Sequence, residues 1–168
     1  MLEDSTKSKE YLETAFKAAV EGSRPSIEAV ANYLKRQGFK VEIPEIVVRD
    51  KLENRHKFED NGDLFYWKDG VKLRVEIKHH KTMPDFTGYG DHKYNTVLIG
   101  RKHLIQKNIH LVHRYVSVSQ NLRYATVVNP DTRHQWRLEE KFKHNWGTME
   151  WDYYCPVLLS KIIRLAEE

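Results

Sequence analysis

The chain has little that could tie it together covalently or anchor it in lipid. Cys155 is the single cysteine among 168 residues, which excludes an internal disulfide and any all-cysteine metal site and fits a reducing, intracellular setting. No apolar run approaches the roughly 20 residues that a membrane-spanning helix needs, so no membrane role is expected. The start, Met1-Leu2-Glu3-Asp4, is acidic and polar and does not resemble a signal peptide, which makes the cytoplasm the expected location. There is also no internal repeat, no low-complexity tract, no glycine-rich phosphate loop and no Cys/His pattern with zinc spacing. Neither sign of charge dominates: 28 Lys and Arg against 24 Asp and Glu leave a net +4. An excess that small permits nucleic-acid binding, yet it is ordinary on solvated domains.

What the chain does carry is concentrated between residues 62 and 81. Asp69-Gly70 separates two runs rich in aromatic and β-branched residues, among the strongest short-range hairpin signals, because both residues of a type I′ turn need positive φ. The strands are expected at about 63–68 and 71–78. With a two-residue loop Lys68 faces Val71, and counting outward from that pair brings Asp63 opposite Glu76. Side chains alternate along a strand, so Val71, Leu73, Val75 and Ile77 share one face, which is core, and Lys72, Arg74, Glu76 and Lys78 share the other. Two acids directly opposed, with Cβ atoms roughly 5 Å apart, repel each other unless something neutralises them. A hard divalent cation held by carboxylate oxygens is the usual answer, with Mg²⁺ keeping several of its waters. A Glu-X-Lys taken alone is unremarkable on a solvated face, where its ion pairs are worth little.

Gly62-Asp63, twelve intervening residues and then Glu76-Ile77-Lys78 on an apolar strand resemble the PD-(D/E)XK nuclease superfamily, with clear resemblance over about residues 25–81. Gly62 stands where the family's name has proline. The resemblance implies an α/β fold, a restriction-endonuclease-like mixed central sheet flanked by helices. It further implies that Asp63, Glu76 and the backbone carbonyl of Ile77 bind Mg²⁺, or Mn²⁺ in its place. Lys78 would then orient or deprotonate the attacking water. The activity implied is hydrolysis of DNA phosphodiester bonds, with RNA left open as a substrate. Two cuts in a duplex need two sites, which leaves a homodimer open. The alternative is a non-catalytic nucleic-acid-binding or assembly protein that retains the fold.

The rest of the chain reads as one domain: a helical extension over 1–22, a core over 25–129 and C-terminal elements over 130–168. Leu12, Phe16, Ala19 and Val20 give 8–21 a helical stripe. A second helix starts near Pro25, carries Ile27, Val30, Ala31 and Leu34 on one side, and closes at Gly38. Glu28, early in that helix, matches an acid that approaches the metal in resolvase-like members of the superfamily, although the helix dipole also favours an acid there. Short strands are expected around 39–43 and 45–49. Beyond the hairpin, His80 continues on the Glu76 and Lys78 face, where it could contact a phosphate or a metal-bound water or be a plain surface histidine, and Lys81 is a further candidate nucleic-acid contact. Arg74 and Lys72 could neutralise a flanking phosphate or, being opposite Phe65 and Trp67, form cation–π contacts. The loop from Thr82 to His92, holding Met83, Phe86 and Tyr89, reads as a mobile functional segment. Strands are expected at 96–99, broken by Gly100, and at 115–119 and 125–129, with a short basic helix or turn over 101–108. Residues 133–146 interleave Arg133, Arg137, Lys141 and Lys143 with Trp136, Phe142 and Trp146, a composition that suits phosphate contacts with base stacking or an amphipathic segment equally. Pro156 is expected to open a final helix with Val157, Leu158, Ile162 and Leu165 on its apolar stripe.

Overall fold

The computed structural model of the chain describes residues 23–44, 62–79, 83–143 and 147–167. The helix expected at 8–21 and the strand at 45–49 lie outside them. The helix after Pro25 spans 23–36 (α1), and the Gly38 and Phe39 amides close its end on the carbonyls of Lys35 and Leu34. Ile27, Val30 and Ala31, three and four residues apart, form its buried side.

A short strand follows, β1 (Lys40–Glu42), and then the hairpin of β2 (Leu64–Lys68) and β3 (Val71–Lys78). Asp69 and Gly70 have φ of 53° and 77°, the two positive values that a type I′ turn needs. The ladder runs from Lys68↔Val71 to Leu64↔Val75, in the register set by that two-residue loop. The chain then passes through β4 (Thr96–Arg101) and the short α2 (Lys102–Asn108) before β5 (Arg114–Val118) lies parallel to β3. A parallel pair requires such a crossover, because a tight turn can only reverse the chain. β6 (Tyr124–Val128) pairs antiparallel with β5, and β9 (Lys161–Arg164) with β6, which gives a six-stranded mixed sheet in the order β1-β2-β3-β5-β6-β9. β4 belongs to a second, antiparallel sheet, β4-β8-β7, in which β7 is Arg137–Lys143 and β8 is Thr148–Pro156.

The large sheet is covered on both faces. On one, Leu64, Tyr66, Val75, Ile77, Val116 and Val118 pack with the buried side of α1. On the other, Tyr115 and Val128 pack with Val97 and Ile99 of β4, Ile105 of α2, Trp136 and Cys155. The architecture is mixed α/β, with a helix on one face and the small sheet plus a short helix on the other.

Three expectations change. The final helix from Pro156 is absent: Pro156 ends β8, Val157–Leu159 make a single 3-10 turn, and β9 follows as an edge strand of the large sheet. Ile162 and Ile163 suit a strand, and Leu158 is 78% exposed, so the supposed stripe faces no common core. Gly100 does not end β4, but sits where its register with β8 shifts, between Leu98 and Gly100. The loop before β4, described from Met83 onward, is tied down. Phe86 is buried against His92, and the Tyr89 hydroxyl donates to the Ser160 carbonyl at 2.6 Å. The Asn121 amide donates to Asp85 at 2.7 Å. The amides of Thr87 and Gly88 close on Asp91, whose carboxyl they hold below its ordinary value, the Thr87 amide most of all.

Candidate active site

The hairpin ladder, continued one step beyond Leu64↔Val75, brings Asp63 across from Glu76. There the main-chain pairing stops and a side chain takes over: the Ile77 amide donates to Asp63 Oδ2 at 2.7 Å. Asp63 is thereby fixed to the residue between Glu76 and Lys78. A carboxylate has two oxygens and about four lone-pair positions, so one amide contact does not exhaust its ligand capacity.

Glu76 is held from its own strand. Arg74, two residues earlier and on the same face, donates to Glu76 Oε1 from Nε at 2.7 Å and from Nη2 at 2.6 Å. The two side chains are 9% and 14% exposed, so this is a largely desolvated ion pair. Arg74, 8% exposed, is therefore not a phosphate contact on an open face. Lys72 makes the cation–π contacts, with Nζ 4.5 Å from the Phe65 ring centroid and 5.4 Å from that of Trp67. Part of the neutralisation expected from a cation is already supplied by a guanidinium.

Gly62 follows from the same arrangement. Its φ is +102°, and a Cβ at this position would lie 2.8 Å from Arg74 Nε and 2.9 Å from Arg74 Cγ. Proline, confined to φ near −65°, could adopt neither that backbone nor that space. Glycine at position 62 is thus required by its own backbone conformation, and a side chain there would crowd the one that holds Glu76.

Lys78 and Glu76 point into a cavity of about 50 Å³ between the sheet, β4 and α2. Gly100 opens it: with φ of +153° at the irregularity of β4, it brings bare backbone close to Lys78, and a Cβ there would sit 3.6 Å from Lys78 Nζ and 3.2 Å from Ile105 Cδ1. Across the parallel ladder Glu76 is aligned with Tyr115, whose ring meets Trp136 edge-on at 5.9 Å. Tyr115 lines the same cavity, and its hydroxyl is buried with no hydrogen-bond partner among the described residues. Burial first, and then the Glu76 carboxylate, holds this phenol far above its ordinary value, against a smaller opposing effect of Arg74.

The other residues singled out in the sequence are dispersed. Glu28 pairs with Arg24 at 3.1 Å on the exposed side of α1, a helix that packs on the face of the sheet opposite to Glu76, so it is not brought to the acid pair. His80 and Lys81 lie outside the described residues. Arg133 belongs to a 3-10 turn (Pro130–Gln135) and lines a separate cavity of about 240 Å³ with Gln106, Trp136 and Tyr153. Arg137 and Lys141 lie on β7, both exposed, and Lys141 Nζ sits 4.5 Å from the Tyr154 ring centroid. Of the interleaved aromatics Trp136 is core and Phe142 is 48% exposed, while Trp146 lies outside the described residues.

Among the described residues no group of three or more His, Cys, Asp or Glu side chains is gathered to hold a metal ion. The donors on offer are the Asp63 and Glu76 carboxylates and the Ile77 carbonyl, an all-oxygen set that suits a hard cation keeping several waters. Tyr115 and Arg74 are the parts of this site that the sequence reading missed or misplaced. An Arg two residues before a Glu on one strand was a signal for the second. Comparison with known proteins gives no match: no protein-family model, no curated protein and no solved structure is significantly similar to the chain.

Proposed function

We propose that the chain is a Mg²⁺-dependent nuclease with a restriction-endonuclease-like core, hydrolysing DNA phosphodiester bonds at Asp63, Glu76 and Lys78. The observation that carries this reading is the hairpin register, which brings an acid to the end of the ladder opposite Glu76, two residues from a lysine whose Nζ lies beside the bare backbone of Gly100. Chance supplies Glu-X-Lys often, but not an opposed acid anchored to the amide between the two. The bound cation would polarise the scissile phosphate and lower the pKa of a coordinated water.

The protein's own part is orientation. Asp63 is aimed by the Ile77 amide and Glu76 by Arg74, so both ligands are fixed before anything binds. Lys78 presents ammonium donors that orient the attacking water and offset charge on the phosphate. Arg137 and Lys141, exposed on β7, would contact flanking phosphates, and a homodimer would supply a second site for a second cut.

One observation favours a different reading. Because Arg74 already neutralises Glu76, the acid pair could serve the stability of a nucleic-acid-binding or assembly protein that needs no cation. Incubation with plasmid, linear, single-stranded and four-way-junction DNA in Mg²⁺, Mn²⁺ or EDTA separates the two. The nuclease cuts at least one substrate in either cation and none in EDTA, and Asp63→Ala, Glu76→Ala and Lys78→Ala each abolish cutting while DNA binding remains. No cutting of any nucleic acid at millimolar cation leaves the binding reading in its place.

A further inference from the structure

We propose that the face of β1, β2 and β3 that carries Asp63 and Glu76 is a binding track for single-stranded DNA, with bases on the rings of Phe65 and Trp67 and phosphates on Lys40 and Lys72. Its place beside the scissile bond rests on the nuclease reading above; its affinity for an unpaired strand does not.

Register lays the track out. Lys40↔Trp67↔Lys72 is one row across the three strands, and Glu42↔Phe65↔Arg74 is the next. Two residues further along the hairpin Asp63 stands across from Glu76, so the three rows share a face. On this face β4 and α2 pack over Tyr115 of β5 and Val128 of β6. Phe65 and Trp67 belong to neither hydrophobic cluster, although both are large and only partly buried. Two partly exposed aromatics outside any core, side by side on one strand face, are what a base-stacking platform presents.

The cations stand beside the rings. Lys40 Nζ lies 4.6 Å from the Trp67 ring centroid, and Lys72 Nζ lies 4.5 Å from that of Phe65 and 5.4 Å from that of Trp67. Lys40 is exposed, and the Lys72 side chain is 47% exposed. Neither is firmly held: Glu42 approaches Lys72 at 3.8 Å with half of its own side chain in water, and a pair of that kind is worth little. An exposed cation–π contact is weaker than the stacking of a base on an aromatic ring, so a base displaces the ammonium and leaves it next to the strand's phosphate. Rings flanked by mobile cations match an anionic polymer whose bases have flat apolar faces.

Spacing selects an unpaired strand. Successive rows on one face are about 7 Å apart, roughly twice the 3.4 Å rise per base along a duplex strand. Bases that settle on Phe65 and Trp67 in turn must part from each other, which paired and stacked bases resist. A duplex keeps its base faces inside, where a side chain reaches them only by unstacking the pairs.

The test is fluorescence anisotropy in EDTA with a labelled oligo(dT) and a blunt duplex of equal length. The parent should bind the oligo(dT) more tightly than the duplex. Trp67→Leu should weaken oligo(dT) binding about five- to a hundredfold, the stacking of one base, and leave duplex affinity unchanged. Trp67→Phe keeps a ring and should retain most of the affinity. Lys40→Gln and Lys72→Gln should each lower the slope of log affinity against log salt by about 0.7, the value for one phosphate of a single strand. Equal oligo(dT) affinity in the parent and in Trp67→Leu overturns the proposal, as does tighter binding of the duplex by the parent. So does a lower melting temperature of Trp67→Leu with unchanged affinity, which makes the rows a structural clasp of lysines on rings. If Trp67→Leu does not fold, the lysine variants decide: unchanged slopes in both overturn the proposal, and lowered slopes support it. The nuclease reading fails separately, when the parent cuts no nucleic acid in Mg²⁺ or Mn²⁺. Weaker oligo(dT) binding in Trp67→Leu without any cutting keeps the track and discards hydrolysis, and cutting with unchanged affinity in every variant does the opposite.

Discussion

Replacing Arg74 by methionine keeps most of the stem's bulk and removes the guanidinium from Glu76. Both side chains are mostly out of water, and the contacts are short, 2.6 and 2.7 Å. Breaking such a pair from one side takes this counter-charge from a largely buried carboxylate, at about 3–5 kcal/mol. Glu76 keeps 14% of its side-chain surface, so the lower end, about 3 kcal/mol, is expected. Against a total stability on the order of 5–15 kcal/mol that is a large loss. Urea unfolding in EDTA, followed by tryptophan fluorescence, should show the midpoint falling with an unchanged slope. The double variant Arg74→Met/Glu76→Leu should return to within about 1 kcal/mol of the parent, since losing both charges also removes the desolvation cost. Mg²⁺ should then stabilise Arg74→Met more than it stabilises the parent, because the cation replaces the missing counter-charge; at a hundredfold excess over Kd binding contributes about 2.7 kcal/mol. A loss under about 1 kcal/mol in the single variant is the behaviour of an exposed pair and would refute the reasoning. A double variant no more stable than the single one would refute it too.

Two further outcomes follow from the same neighbourhood. Gly62→Ala should cost about 1–3 kcal/mol for its backbone conformation alone, with an added clash against Arg74, and Gly62→Pro more; an unchanged unfolding midpoint in either would contradict the geometry. His113 is pushed below its ordinary value by burial, with Arg114 and Lys68 acting in the same direction. Its folded pKa therefore lies below its unfolded one, so the stability it contributes is complete above about 6.5 and is lost as pH falls through the folded value. His113→Phe should flatten the decline in melting temperature on the acid side of that point, and an identical decline in parent and variant would count against the burial.

The parts of the fold legible in the sequence are those decided locally. Asp69-Gly70 determines a two-residue turn, and every hairpin pair follows by counting, which is why the sequence alone implies the Asp63–Glu76 opposition. The same holds for α1, with its apolar spacing and glycine stop, and for the β-branched runs of β5 and β6. What could not be read depended on distant chain. Whether the Arg74–Glu76–Lys78 face meets water is decided by β4 and α2, which lie beyond a further loop, and without that cover Arg74 looked like an exposed phosphate contact. Tyr115 reaches Glu76 only through a parallel register, for which no turn exists to count from. The segment after Pro156 has apolar residues at helix-like spacing, but the open side of β6 takes it as β9. The loop at 83–92 looked mobile because its anchors, Ser160 and Asn121, are far away in sequence.

The claim on which the rest depends is that Asp63 and Glu76 jointly hold a divalent cation. Calorimetric titration of the purified chain with Mn²⁺, without nucleic acid, tests it most directly. One site per chain is predicted in the parent, lost in Asp63→Asn and in Glu76→Gln and retained in Lys78→Ala, because an ammonium is not a ligand. Binding that survives in Asp63→Asn, or no binding by the parent at millimolar Mn²⁺, would contradict it.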